Sequence, residues 1–239
     1  MAFVVFAGQS NAVGMGMTCE TLQPEVVAVD FLSFIWSNAS HQWEVLYPGL
    51  NTGTPVHPEA WGPETAFAAQ FRLTHPFEPL FIVKSAKGST GLEADPCALD
   101  WSPCSTGEMF DLTTERIAEA RAALGGLAPD AVFLFQGEQD ATCAEAANAY
   151  AENLRGWLAA IRAEWMGDPQ GDIAFGRIND STPYFEQVRW AQCVVDGEDP
   201  NAVSFDTYDF AMQCDNLHYA ADGFLEIGRA FCSAYEGWI

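Results

Sequence analysis

Basic side chains are scarce in this 239-residue chain: ten Lys and Arg stand against 33 Asp and Glu, a formal net charge of -23. A surface so negative repels phosphate backbones and anionic lipid, which argues against nucleic-acid and membrane partners. Lysine is nearly absent, with only Lys84 and Lys87. Lysine poverty with an acid excess suits a salty environment, where a short Debye length screens self-repulsion. No apolar run approaches the ~18 residues a transmembrane helix requires. No basic n-region precedes the first apolar stretch, so no signal peptide is expected, and the expected location is cytoplasmic or released, even virion-associated, or extracellular if a leader has been removed. There are only four histidines, so candidates for a general base are few. Neither they nor the seven cysteines fall in a zinc spacing, and no metal or organic cofactor is expected. The short, Pro-flanked loop Cys97–Cys104 admits a disulfide in an oxidising compartment, the rival being buried or free thiols.

What is present is ample material for a core: 49% of residues are hydrophobic and 13% aromatic. No linker or internal repeat divides the chain, so residues 1–239 read as one domain. The run Phe3-Val4-Val5-Phe6 favours a strand. Residues 26–47 are rich in β-formers and suggest a hairpin laid over the sheet edge, with Phe34-Ile35-Trp36 and Trp43-Glu44-Val45 as its arms. Residues 50–61 read as a long loop, a functional wall or lid. Gly62-Pro63-Glu64 opens a helix with Ala66, Phe67, Phe71 and Leu73 on its apolar side. Further strands are expected at 79–83, 131–135, 173–178 and 203–205, and further helices at 112–124, 144–166, through Phe185, Val188 and Val194, and at 221–235. Strands alternating with helices imply right-handed crossovers, hence an α/β fold: a three-layer α/β/α sandwich with a mainly parallel central sheet.

Three strands run into loops that carry chemistry: Gly8-Gln9-Ser10-Asn11, Lys87-Gly88-Ser89-Thr90 and Gln136-Gly137-Glu138-Gln139-Asp140. In a parallel sheet these loops share one edge, where open α/β folds place their ligands. A serine hydroxyl needs an adjacent base that is itself oriented by a third group. His41 and His75 read as solvated surface residues, and His57 lies in the long loop. His218 stands three residues after Asp215 just ahead of a helix, a spacing that brings a carboxylate to imidazole Nδ1; the competing role for Asp215 is a helix N-cap. The backbone N–H groups of Ser10 and Gly88 and the side-chain amide of Gln136 are candidate donors to an oxyanion.

Gly8-Gln9-Ser10-Asn11, Trp61-Gly62-Pro63-Glu64, Ala86-Lys87-Gly88-Ser89-Thr90, Gln136-Gly137-Glu138-Gln139-Asp140 and Asp215-Asn216-Leu217-His218 resemble, in order and over nearly the whole chain, the blocks of the SGNH hydrolase superfamily. The likeness is to the branch of carbohydrate esterase family 6 and sialate O-acetylesterase-like proteins, which implies a flavodoxin-like SGNH architecture. By position the resemblance implies Ser10 as nucleophile, His218 as base, Asp215 as its orienting acid, and Ser10, Gly88 and Gln136 as the oxyanion hole. Gln9, Asn11, Trp61, Ser89 and Glu138 fall where substrate would be bound or positioned. Gly88-Ser89-Thr90 replaces a Gly-Gly-Thr pattern, which leaves open whether the oxyanion amide is that of Gly88 or Ser89. Arg189-Trp190-Ala191-Gln192 resembles a late family motif more faintly.

The function expected is removal of O-acetyl groups from a carbohydrate, such as acetylated xylan or sialic acid, or from another small ester, through an acyl-enzyme. Trp36, Trp43, Trp61 and Trp101 are candidates for stacking on sugar rings, against core packing as the commoner fate of tryptophan. Three alternatives stand beside this reading. One is a carboxylate pair drawn from Glu138, Asp140 and Glu64 for glycoside hydrolysis. Another is a Ser-Lys dyad with Lys84 or Lys87. The third is a sugar-binding or structural module with the hydrolase fold and little turnover, for example in a virion or extracellular assembly. The sequence sets no oligomeric state.

Overall fold

A computed structural model describes residues 1–27, 30–95 and 98–238. The opening apolar run becomes β1 (Ala2–Gly8), every residue of which is buried. The other strands are β2 (Ser33–Ser37), β3 (Gln42–Val45), β4 (Leu80–Ala86), β5 (Ala131–Phe135), β6 (Asp172–Gly176) and β7 (Ala202–Phe205). They form one sheet in the order β3-β2-β4-β1-β5-β6-β7. Each neighbouring pair is parallel except β2 with β3. The expected hairpin therefore extends the sheet instead of lying over its edge: Phe34 and Ile35 pair with Phe81 and Ile82, and the hairpin's outer arm becomes the terminal strand.

The helices are α1 (Ser10–Val13), α2 (Pro24–Val27), α3 (Pro63–Thr74), α4 (Met109–Ala123), α5 (Ala144–Ala160), α6 (Phe185–Glu198) and α7 (Ala221–Glu236). Alternation along β1 sorts the two cores, as a period of two requires. Phe3, Val5 and Ala7 pack with residues of α4, α5 and α6, such as Ile117, Leu154 and Val188. Val4 and Phe6 pack on the other face with Phe67 and Phe71 of α3 and Phe224 and Phe231 of α7. Helices thus cover both faces, and the buried parallel strands read as unbroken apolar runs for that reason.

Three expectations are corrected. The helix expected over 144–166 leaves α geometry at Ala160 and continues to Met166 with π-type bonding. β6 ends at Gly176 rather than Ile178, whose N–H goes to the Gln192 side chain. Leu73, placed on the apolar side of α3, is 75% exposed. Of the Cys97–Cys104 pair, Cys97 lies outside the described residues, and Cys104 is exposed. Among the described residues no helix is long and apolar enough to cross a membrane.

Candidate active site at the carboxyl edge of the sheet

β1 ends at Gly8, whose φ of +146° is a glycine conformation and whose missing Cβ would lie 2.0 Å from the Phe135 carbonyl oxygen. That turn sets Ser10 at the first position of α1, almost fully buried. A first-turn N–H has no acceptor within its own helix. Gly88 packs directly on the serine: a Cβ there would approach Ser10 Cβ to 3.5 Å. Among the described residues neither the Ser10 nor the Gly88 N–H has a hydrogen-bond acceptor, so both remain available to a ligand oxygen. Ser89 is exposed with φ +59° and lines a neighbouring cleft, and the contact with Ser10 belongs to Gly88.

The second half of the site is the turn Asp215–His218, in which Asn216 takes φ +55°, a conformation asparagine tolerates. Asp215 Oδ1 accepts the N–H groups of Leu217 and His218, both at 3.0 Å, and Oδ2 faces His218 Nδ1 at 2.6 Å. Asp215 is not a helix cap, because α7 begins six residues later. Partial burial pushes the Asp215 carboxyl up, but the hydrogen bonds from His218 and Leu217 outweigh it and hold the group below its ordinary value. The His218 side chain is 12% exposed and Asp215 47%, so the acid lies on the solvent side of the imidazole. Ser10 Oγ and His218 share no hydrogen bond within 3.5 Å; the two are associated through Asn11.

Asn11, next in sequence to Ser10, is fully buried and grips the peptide groups on either side of His218. Its Nδ2 donates to Leu217 O at 3.2 Å and its Oδ1 accepts the Tyr219 N–H at 3.2 Å. The same Nδ2 donates to Glu138 Oε1 at 2.6 Å. Burial pushes the Glu138 carboxyl up, with Asn11 and the nearby His218 pulling only partly against it, and its Oε2 has no hydrogen-bond partner among the described residues. Two of the residues expected to contact substrate, Asn11 and Glu138, are thus parts of the frame that holds the histidine turn against the serine turn.

Gln136 departs from its expected role. Its Nε2 donates to Thr90 O at 3.2 Å and Asp140 Oδ2 at 2.5 Å, and its Oε1 accepts Tyr150 OH at 2.9 Å. With both amide hydrogens engaged, it braces the loop and presents no donor to an oxyanion. Gln192, from the faint late motif, buckles the same region by donating to Gln136 O and Gly176 O. Gln9 is the amide left over: Oε1 is fixed by the Gln139 N–H at 3.0 Å, and Nε2 has no acceptor among the described residues. The brace of Tyr150, Gln192 and Asp140 was missed by sequence reasoning, and only the faint motif signalled any of it.

Other candidates fall away. Trp36, Trp61 and Trp101 are 5%, 0% and 0% exposed, and Trp61 Nε1 is held by Thr18 O and Thr21 Oγ1. Trp43 packs edge-on against Phe3, so the four tryptophans build core and hairpin and offer no stacking platform. Lys84 Nζ donates to Glu64 Oε1, Val13 O and Thr52 O at 2.8, 3.0 and 2.9 Å, leaving no lone pair to serve as a base. The three carboxylates of the glycosidase alternative are each held as buried acceptors: Glu64 by Lys84, Glu138 by Asn11, and Asp140 by Gln136 and the Leu92 N–H. His41 and His75 pair with surface glutamates.

A parallel sheet whose central strand delivers a serine to its carboxyl edge, opposite an Asp-x-x-His turn, has the architecture of an SGNH-type hydrolase. A lipase/acylhydrolase from Enterococcus faecalis shares this fold, with a TM-score of 0.58 at 14% identity over 100% of this chain and 97% of that one. The chain belongs to the family described as "Carbohydrate esterase, sialic acid-specific acetylesterase", which matches residues 1–236. It is therefore a carboxylic ester hydrolase of a carbohydrate esterase family. A probable carbohydrate esterase of Arabidopsis thaliana is 25% identical over 248 aligned residues, covering 97% of this chain and 88% of that protein. A crystal structure of an Arabidopsis thaliana protein superimposes with a TM-score of 0.83 at 23% identity, over 99% of this chain and 98% of that one. A carbohydrate acetylesterase from Xanthomonas citri has a TM-score of 0.69 at 18% identity, over 98% of this chain and 56% of that one.

Proposed function

We propose that the chain is a serine O-acetylesterase acting on acetylated carbohydrate through an acyl-enzyme. Ser10 Oγ attacks the ester carbonyl while His218 Nε2 accepts its proton, and Asp215 fixes the tautomer with a proton on Nδ1 and stabilises the imidazolium. The Ser10 and Gly88 N–H groups receive the oxyanion. Collapse of the tetrahedral intermediate breaks the ester C–O bond, and the proton on His218 passes to the departing sugar oxygen. Water, deprotonated by His218, then releases acetate and restores Ser10. One observation supports the reading above the others: the 2.6 Å Asp215–His218 pair sits on a turn whose flanking peptides are both bound by Asn11, the residue beside Ser10.

Ser10→Ala is expected to abolish aryl acetate turnover with an unaltered circular dichroism spectrum, and intact-mass spectrometry of the wild type during turnover is expected to show an adduct of one acetyl group. Retained turnover in the variant would sink the assignment.

A further inference from the structure

The end of the molecule opposite the serine carries large apolar side chains that neither core takes up. Leu73 at the end of α3, Phe31 ahead of β2 and Phe77 ahead of β4 are 75%, 71% and 88% exposed. They lie at the amino edge of the sheet, because Ser33 and Leu80 open the parallel strands β2 and β4 and pair with each other. One arginine draws them together. Arg72, next in sequence to Leu73, donates from Nε to Oδ2 of Asp30, the neighbour of Phe31, at 2.6 Å. Its Nη1 donates to His75 O at 2.5 Å and Glu78 O at 2.8 Å, the carbonyls that bracket Phe77. Three exposed apolar side chains therefore flank the contacts of a single guanidinium. Apolar residues scattered singly over a surface need no partner, whereas a contiguous set marks an interaction site.

The same face is hollow as well as apolar. A groove of 320 Å³ beside α3 is walled by Asp30, Ser33, Leu46, Ala69, Arg72 and Leu73. A second, of 170 Å³, lies on the α7 side of Leu73 and reaches Leu225 and Arg229. An apolar cavity of about 150 Å³ is enough to take up benzene, so the larger groove has room for a phenyl ring. A two-fold axis sets every feature of a face against its counterpart, and a protruding ring beside a groove of its size is self-complementary under that operation.

Charge narrows the occupant. Copies of a chain with a net charge of -23 repel one another where their acids meet unpaired. On this face the bordering acids are engaged within the chain: Asp30 with Arg72 at 2.6 Å, and Glu78 and Glu236 with His75 at 3.2 and 2.9 Å. A basic partner, which the rest of the surface would attract, finds these three carboxylates already taken, while a second copy meets rings and grooves like its own.

We propose that this face is the interface of a two-fold symmetric homodimer, in which Phe77 of each copy enters the larger groove of the other. Ser10 stands at the opposite end of the strands, so both active sites stay open, and the pairing does not rest on the esterase reading.

Sedimentation velocity of the intact chain tests this over a concentration series into the high micromolar range, in about 0.1 M and about 1 M KCl, between which the Debye length shrinks from about 10 Å to about 3 Å. The expected species is a dimer whose dissociation constant falls tenfold or more at the higher salt, as the remaining repulsion is screened. Phe77→Ser and Leu73→Ser are expected to raise that constant tenfold or more. Ala69→Trp, which fills the groove and leaves Phe77 in place, should do the same. Trp190→Ser, which removes an exposed ring from the flank of α6, should leave it unchanged. Circular dichroism and thermal unfolding serve as folding controls. A monomer under every condition would overturn the proposal and leave the face to a partner of other chemistry. Variants that dimerise as tightly as wild type would overturn it too, as would a mass that grows past the dimer with concentration, the sign of a contact that does not close.

Discussion

Lys84 and Glu64 form an ion pair whose side chains are 5% and 0% exposed, and replacing Lys84 by methionine tests how much of the site's placement depends on it. The substitution leaves Glu64 buried without its cation and frees the carbonyls of Val13 and Thr52, which Lys84 now holds. Removing one partner of a buried pair costs about 3–5 kcal/mol. That is a large part of the ~5–15 kcal/mol by which domains are stable. Burial already pushes the Glu64 carboxyl up, and without Lys84 the folded state holds that proton more tightly than the unfolded chain does. The variant's stability is then greatest below the unfolded carboxyl pKa and falls as pH rises through the folded value, so the loss should be larger near neutral pH than near pH 5. Urea unfolding measures it. The double variant Glu64→Leu with Lys84→Met, which removes both charges, should recover most of the loss, because an apolar replacement of a buried pair is often near neutral. Since Val13 closes the helix that Ser10 opens, turnover should fall in the single variant even where it is folded. A single variant within about 1 kcal/mol of wild type, or a double variant no better than the single, would refute the reasoning.

Asn11→Ala removes three hydrogen bonds, one of them to Glu138, so a loss of about 1 kcal/mol per bond is expected in urea unfolding. Faster amide exchange at Leu217 and Tyr219 and a lower kcat should accompany it; unchanged exchange would show that the turn holds itself. Asp140 is pushed up to about 6 by burial, against the pull of Gln136 and the backbone N–H groups of Leu92, Glu93 and Asp140 itself. Its folded pKa lies above the unfolded one, so it favours folding fully below about pH 4, and about 3 kcal/mol of that contribution is lost as pH rises to about 6. Wild type should therefore lose stability relative to Asp140→Asn across that window; parallel pH curves would count against a buried, proton-holding Asp140.

The sheet was legible because its central strands are buried on both faces and so appear as Phe3–Phe6 or Ala131–Phe135 without polar interruption. The serine and histidine turns were legible from blocks whose order survives in the fold. Less legible was which polar residues face the ligand and which face each other. Gln136 and Asn11 are both amides at strand ends, and nothing local distinguishes one that binds substrate from one that binds Thr90 and Asp140, or Leu217 and Glu138. The partners lie 46 to 206 residues away, except Asp140. Tryptophan poses the same difficulty: Trp61 stands in an irregular segment that suggests a wall, yet it is anchored to Thr18 and Thr21 beneath α7. Long-range pairing decided each of these, and it has no period in the sequence.

The carboxyls around the proposed nucleophile are sorted by environment in a way that suits their charges to an anionic transition state. Glu138 and Asp140 lie inside the edge, and burial pushes both up, which favours the neutral acid beside the place where an oxyanion would form. Glu64, deeper still, is matched by the ammonium of Lys84. Of these, Asp215 alone is held low, the hydrogen bonds of the turn it closes outweighing its partial burial, and it lies on the far, solvent side of His218, where a negative charge would favour the imidazolium of the proposed mechanism. Separated proton affinities of this kind distinguish acids that share a site but not a task. In the proposed mechanism a chain with a net charge of -23 can thus host a negative transition state, because the buried carboxyls of this edge are pushed toward their neutral forms and the low one faces the histidine.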